Sequence, residues 1–193
     1  MGNIRFQRPL GNRPYRKLYL IIAEGSKTEP QYFSMFNSDE AYFRVKCYHG
    51  KHASAPPQLL KLMTAQKKSE GLKLTDEAWI VVDKDSWTEA QLLELDTWAN
   101  ISANHGLALS NPHFEYWLLL HFEDGNGISS SKDCLARLLR HLPNFEKGSV
   151  DTRKLRLGVT DAVTRAKRRD NPPCGDWPKT TGSTVYRLVE KIQ

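Results

Sequence analysis

The chain is poor in cysteine: Cys47, Cys134 and Cys174 are its 3 cysteines in 193 residues, far apart and without a CxxC spacing. That argues against a disulfide framework or a cysteine-built zinc site, and the thiols read as reduced ones of a cytoplasmic protein. Long apolar runs are lacking too. The longest, such as 18–23 and 117–120, fall far short of the roughly 20 residues that cross a bilayer. Residues 1–17 are basic but hold no apolar stretch, so neither membrane anchor nor signal peptide is expected. An acidic excess is also missing, with 28 Lys+Arg against 22 Asp+Glu and a formal net charge of +6. This balance favours an anionic partner, nucleic acid being the commonest, although solubilising charge gives the same sum. At this length roughly 70% of the unfolded surface is buried on folding, so no staples are needed.

What is present alternates between strand and helix patterns. Residues 18–23 are apolar on both faces, as in a central strand of a parallel sheet, and stop at Glu24-Gly25. Thr28 and Gln31 have capping-box spacing, with Glu29 and Pro30 suited to a first helical turn. Residues 42–48 read as a more exposed strand and 57–69 as a helix. A second buried strand, 78–82, ends at Asp83-Lys84-Asp85. Ser86 and Glu89 suggest another capping box, with a helix to about Asn104 and Gly106 just past its end. Residues 107–110 read as a short strand, after which Asn111 caps and Pro112 opens a helix with Phe114, Trp117, Leu118 and His121 on one stripe. Further helices are expected at 132–142, 159–169 and 183–192, with irregular chain at 144–158 and 170–182. The division that follows is a basic arm (1–16), an α/β core with a mainly parallel sheet (17–125) and a helical C-terminal extension packed on it (126–193).

Two buried strands thus end in acids, Glu24 after the first and Asp83 and Asp85 after the second. Ligands of open parallel sheets sit outside the carboxyl ends of the strands. If these strands are neighbours, the carboxylates converge there, and two residues apart on extended chain point the same way. Such oxygens suit Mg²⁺ (or Mn²⁺), which keeps positions for water and substrate phosphate. Acids at strand ends can also be merely solvated or cap helices. Glu24 is harder to explain so, because a carboxylate directly behind an apolar run is an expensive place for an idle charge.

The string Ile22-Ala23-Glu24-Gly25-Ser26-Lys27-Thr28-Glu29-Pro30-Gln31-Tyr32-Phe33 resembles the first motif of the RloB-like family. Val82-Asp83-Lys84-Asp85 resembles the second, and the stretch from Ser110-Asn111-Pro112-His113-Phe114-Glu115 to His121-Phe122 the third. Thr184-Val185-Tyr186-Arg187-Leu188-Val189 is similar to a later one. The family is associated with restriction-modification and phage-defence loci and looks like a branch of the Toprim superfamily. The resemblance implies a Toprim-like, Rossmann-like fold and a Mg²⁺-dependent nuclease. Glu24, Asp83 and Asp85 would be its metal and catalytic residues, and a regulatory defence protein a partner. Ser26, Ser86 and His113 depart from common family residues, which puts a second metal in doubt.

Lys27 precedes a helix start, where a phosphate would be favoured. Glu29 is a further candidate ligand or a first-turn acid acting on the helix dipole. Glu115 could join the acids from a third strand end or form a structural ion pair. His121 could serve as a base, but its place on the apolar stripe suits a satisfied core histidine better. Lys147, Arg153, Arg165, Arg168 and Arg169 are the candidate contacts to a nucleic-acid backbone. Trp177 could stack on a base or pin its loop to the core. The alternative to a nuclease is a non-catalytic module that binds nucleic acid or a protein partner on the same fold.

Overall fold

The computed structural model describes residues 15–50, 55–85 and 87–193; the basic stretch 1–14 and the expected Ser86 cap lie outside them. The strands β1 (Lys17–Ala23), β2 (Phe43–His49), β3 (Glu77–Asp83), β4 (His105–Asn111) and β5 (Gly182–Ser183) form one sheet in the order β2-β1-β3-β4-β5. The first four run parallel and β5 pairs antiparallel to β4. This is a mostly parallel α/β sheet of Rossmann-like kind, and β1 and β3 are indeed neighbours.

Strand residues alternate between faces, and both faces of β1, β3 and β4 are covered. Leu20, Ile22, Ile80, Val82 and Leu109 pack under α2 (Pro56–Glu70) and α3 (Glu89–Asn100), where Leu59, Met63, Leu92 and Leu95 are buried. Tyr19, Ile21, Ala23, Trp79, Val81 and Ala108 face the opposite layer. That layer holds α1 (Thr28–Ser34), α4 (Phe114–Leu119), α5 (Ser131–His141), α6 (Thr152–Leu157), α7 (Val159–Arg169) and α8 (Tyr186–Val189). Leu138, Leu155, Val163 and Leu188 share one apolar cluster with Ala23, Tyr32 and Trp117. Residues 126–193 are therefore joined to the core by this cluster and by β5. No helix among the described residues is long and apolar enough to cross a membrane.

Gly106 lies inside β4, opposite Trp79, rather than behind a helix. A Cβ there would stand 2.5 Å from the indole ring, so the missing side chain is what lets the large aromatic lie flat across the sheet. The edge strand β2 is protected at its middle. The Asn37 carboxamide accepts from Val45 N (2.8 Å) and donates to Val45 O (2.9 Å), occupying both backbone groups that another strand could use.

Other local expectations are corrected. Gln31 does not close a capping box with Thr28; its Oε1 accepts from Val150 N (2.9 Å) and ties α1 to the later chain. The box that opens α3 is Thr88–Gln91, and α3 ends at Asn100. Asn111 and Pro112 lie before α4, whose N-cap is His113; Asn111 instead donates to Pro178 O (3.0 Å). Within the expected loop 144–158, Asp151 caps α6 by accepting from Lys154 N (3.2 Å). The expected helix 183–192 is shorter, since Ser183 is in β5 and α8 covers only Tyr186–Val189.

Candidate active site at the strand ends

Register brings the acids together. Ala23 pairs with Val81 and Asp83 with Ser110, so β1, β3 and β4 end at nearly the same level. Glu24 continues the ladder by donating its N–H to Val81 O (3.0 Å). Past β3, the N–H groups of Lys84 and Asp85 reach Ser110 O (2.9 Å) and Pro112 O (3.2 Å), drawing this turn toward the start of α4. Glu24, Asp83 and Asp85 then line one cavity of about 1120 Å³. Glu29 and Glu115, from the first turns of α1 and α4, line it as well.

Glu24 is held from two sides. Its Oε2 accepts from Trp87 Nε1–H (2.6 Å) and from Asp83 N–H (3.2 Å). Trp87 was not singled out in the sequence, and no local pattern would have found it, because the contact joins chain segments far apart. Glu29 folds back so that its Oε1 accepts from Gly25 N–H (3.2 Å). A Cβ on residue 25 would overlap this carboxylate, so the glycine after Glu24 is what leaves Glu29 room to fold back.

The electrostatics of the group are costly. Burial raises the Asp83 carboxyl well above the usual carboxylate range, and Glu29, Glu24, Glu115 and Asp85 push it further. Glu29 is raised to about 7, by burial first and then by Glu115 and Glu24, against the opposing backbone hydrogen bonds. Glu115 differs. Burial would raise it, but His113, whose Nδ1 lies 2.8 Å from its Oε2, holds it below the ordinary value. Burial in turn works against the His113 imidazolium, yet Glu115 and Asp85 hold its pKa above the ordinary value. Glu115 is thus both a member of the acidic group and half of an ion pair.

A hard divalent cation suits this donor set, since like-charged carboxylates held together in a partly buried site gain from a counter-charge. Among the described residues, no three His, Cys, Asp or Glu side chains are drawn together as a ready cage. Mg²⁺ ordinarily uses one or two carboxylates and completes its shell with water and phosphate. Asp83 and Asp85 would supply such carboxylates, with Glu24 lining the same cavity.

The cavity is also lined by Lys27, Lys132 and Lys147 and by Leu135, Leu139 and Phe145. All three lysines are exposed and none makes an ion pair among the described residues. Lys27 lies against Gly148, where a Cβ would come within 2.8 Å of its Cδ. Of the expected backbone-contacting residues, only Lys147 lines the acidic cavity. Arg153 lines a separate, smaller depression. Arg165 donates to Leu120 O (2.7 Å) and pairs with Asp124 and Asp161; Arg168 also pairs with Asp124. Arg169 donates to Asn126 Oδ1 (2.7 Å) and Thr181 O (3.3 Å).

His121 stands apart from the cavity as a satisfied core histidine, 3% exposed. Its Nδ1 faces the Trp117 carbonyl (3.0 Å), a pure acceptor, so the network places the proton there; Nε2 then accepts from Tyr32 OH (3.1 Å). Trp177, 3% exposed, packs in the cluster with Leu109 and Trp87, which pins its loop rather than presenting a ring to a base.

Fold and site together define an α/β protein with an acidic cavity at the carboxyl ends of parallel strands. The family model described as RloB-like protein matches residues 19–192, and the chain belongs to the RloB-like family. Comparison with curated proteins and with solved structures returns no match.

Proposed function

We propose that this RloB-like protein is a Mg²⁺- or Mn²⁺-dependent nuclease that hydrolyses phosphodiester bonds of RNA or DNA and acts in antiviral defence. The observation that carries the reading is the convergence of Glu24, Asp83 and Asp85, from the ends of adjacent parallel strands, and Glu115, from the first turn of α4, on one cavity that three lysines also line. Asp83 and Asp85 are the ligands for the cation, with Glu24 completing the set or moving a proton. When bound, the ion would polarise the scissile phosphate and lower the pKa of water. Lys27, Lys132 and Lys147 seat the phosphates flanking the cut bond by charge, independent of sequence. The Trp87 indole fixes the orientation of the Glu24 carboxylate. His113 keeps Glu115 ionised beside Asp83 and so preserves the negative field of the site. A regulatory defence protein as partner and a cytoplasmic location fit the same reading.

The test is cleavage of total RNA, plasmid and single-stranded DNA with Mg²⁺ or Mn²⁺, wild type beside Asp83→Ala. Metal-dependent cutting that the substitution abolishes supports the proposal and names the polymer. Folded protein that binds these polymers and cuts none of them favours the alternative, a non-catalytic nucleic-acid-binding module. One observation speaks for that alternative: Glu24 Oε2 is already engaged by Trp87 Nε1–H and Asp83 N–H.

A further inference from the structure

The cavity has a half that phosphate chemistry does not use. α5 is amphipathic, yet its apolar side splits between two destinations. Cys134 and Leu138 enter the core, while Leu135 and Leu139 line the cavity, Leu135 at 38% exposure. Phe145, from the segment that follows α5, belongs to the core cluster and lines the same wall with the little of its surface left exposed. Lys132 lies one turn before Leu135 and Lys147 two residues after Phe145, so cations flank an apolar patch in the cavity that the carboxylates also line. Apolar surface left open in a cavity loses free energy against water unless a ligand covers it.

We infer, resting on the nucleic-acid reading above, that the Leu135–Leu139–Phe145 shelf receives an unstacked nucleobase, so that the site takes single-stranded or locally unpaired nucleic acid. A closed duplex presents phosphates and groove edges and keeps its base faces stacked inside. It has no apolar face to offer the shelf, and a whole helix does not enter a cavity of about 1120 Å³. A single extruded nucleotide does, since ligand-sized cavities run from roughly 300 to 1,000 Å³. Its base would lie on Leu135 and Leu139, its flanking phosphates would meet Lys132 and Lys147, and its scissile linkage would face Asp83. Every base has an apolar face, so the shelf selects for strandedness and not for sequence.

The experiment is fluorescence anisotropy of the full chain in Ca²⁺ with three labelled probes, their integrity checked on a gel. The probes are a short single strand, its duplex, and an abasic strand of equal charge. The wild type should bind the base-bearing strand about tenfold more tightly than the abasic one, with the duplex no better than abasic. Leu135→Ser, at an exposed position, should bring the ratio of base-bearing to abasic binding toward one. It should leave abasic binding and the melting temperature unchanged. Leu135→Ala, which keeps an apolar surface, should fall between. Equal affinity for intact and abasic strands, preference for duplex, or an unaltered ratio in Leu135→Ser overturns the inference. Asp83-dependent cleavage without base preference sinks the shelf and leaves the nuclease; base preference without cleavage does the reverse.

Discussion

Replacing His121 with Gln separates a core histidine from a catalytic one. The imidazole is almost fully buried, and burial holds its pKa at about 4, down from an ordinary 6.5. Between those values the unfolded chain takes up a proton that the native chain refuses. Stability contributed by neutral His121 is therefore complete above pH 6.5 and is lost as pH falls toward 4. The displacement from 6.5 to about 4, at about 1.4 kcal/mol per pH unit, amounts to about 3 kcal/mol. Protonation would also turn Nε2 into a donor facing the Tyr32 hydroxyl, which would have to turn its own hydrogen away. His121→Gln removes the titration while keeping a polar side chain, at a cost of about 1–3 kcal/mol at neutral pH from imperfect hydrogen bonding. Urea unfolding of both proteins from pH 7.5 to 4.5 gives the comparison, because the other titrating groups cancel in the difference. Wild type should lose about 2–3 kcal/mol more than the variant over this range, and cleavage by folded variant at neutral pH should persist. Parallel pH profiles, or a stable variant that no longer cuts, would refute the assignment.

Gly106→Ala should destabilise by about 1–3 kcal/mol, as overpacking in a full core does, because the new methyl meets the Trp79 ring; chemical denaturation reads this directly. Trp87→Phe removes the indole hydrogen bond to Glu24 at 2.6 Å, with an expected cost of about 1.5–3 kcal/mol for a bond to a charged group. The same variant should cut more slowly than its stability loss explains, measured with protein confirmed folded. Asn37→Ala exposes both backbone groups of Val45 on the outer strand. A loss of about 1–2 kcal/mol and increased self-association by light scattering are expected.

The parts of the fold that could be read from sequence are those whose signal is local and strong. The apolar runs of β1 and β3 end abruptly in acids, and α7 occupies Val159–Arg169, the span its periodicity predicts. β5 escaped notice because two residues carry no periodicity. What holds it is remote pairing, with Ser183 Oγ against Ser110 Oγ (2.9 Å) and Thr184 N–H donating to Leu109 O (2.8 Å). α6 was hidden for a related reason, since Leu155 is its sole buried residue and the rest reads as a polar, basic loop. In the site, Glu24, Asp83 and Asp85 were legible because a charge directly behind a buried strand is unusual. Trp87, Lys132 and Phe145 were not. Lys132 and Phe145 line the cavity, and Trp87 reaches Glu24, only through tertiary packing. The arginines of α7 show the converse, for a basic run in sequence proves occupied with Asp124, Asn126 and backbone carbonyls.

That the strand-end carboxylates gather a divalent cation is tested most directly by calorimetric titration of Mg²⁺ and Mn²⁺ into wild type, Asp83→Asn and Asp85→Asn, with melting followed in parallel. Wild type should bind and gain about 2.7 kcal/mol of stability at a hundredfold excess over Kd, and both variants should lose the heat and the gain while remaining folded. Metal heats and melting curves that are the same in all three proteins would contradict it.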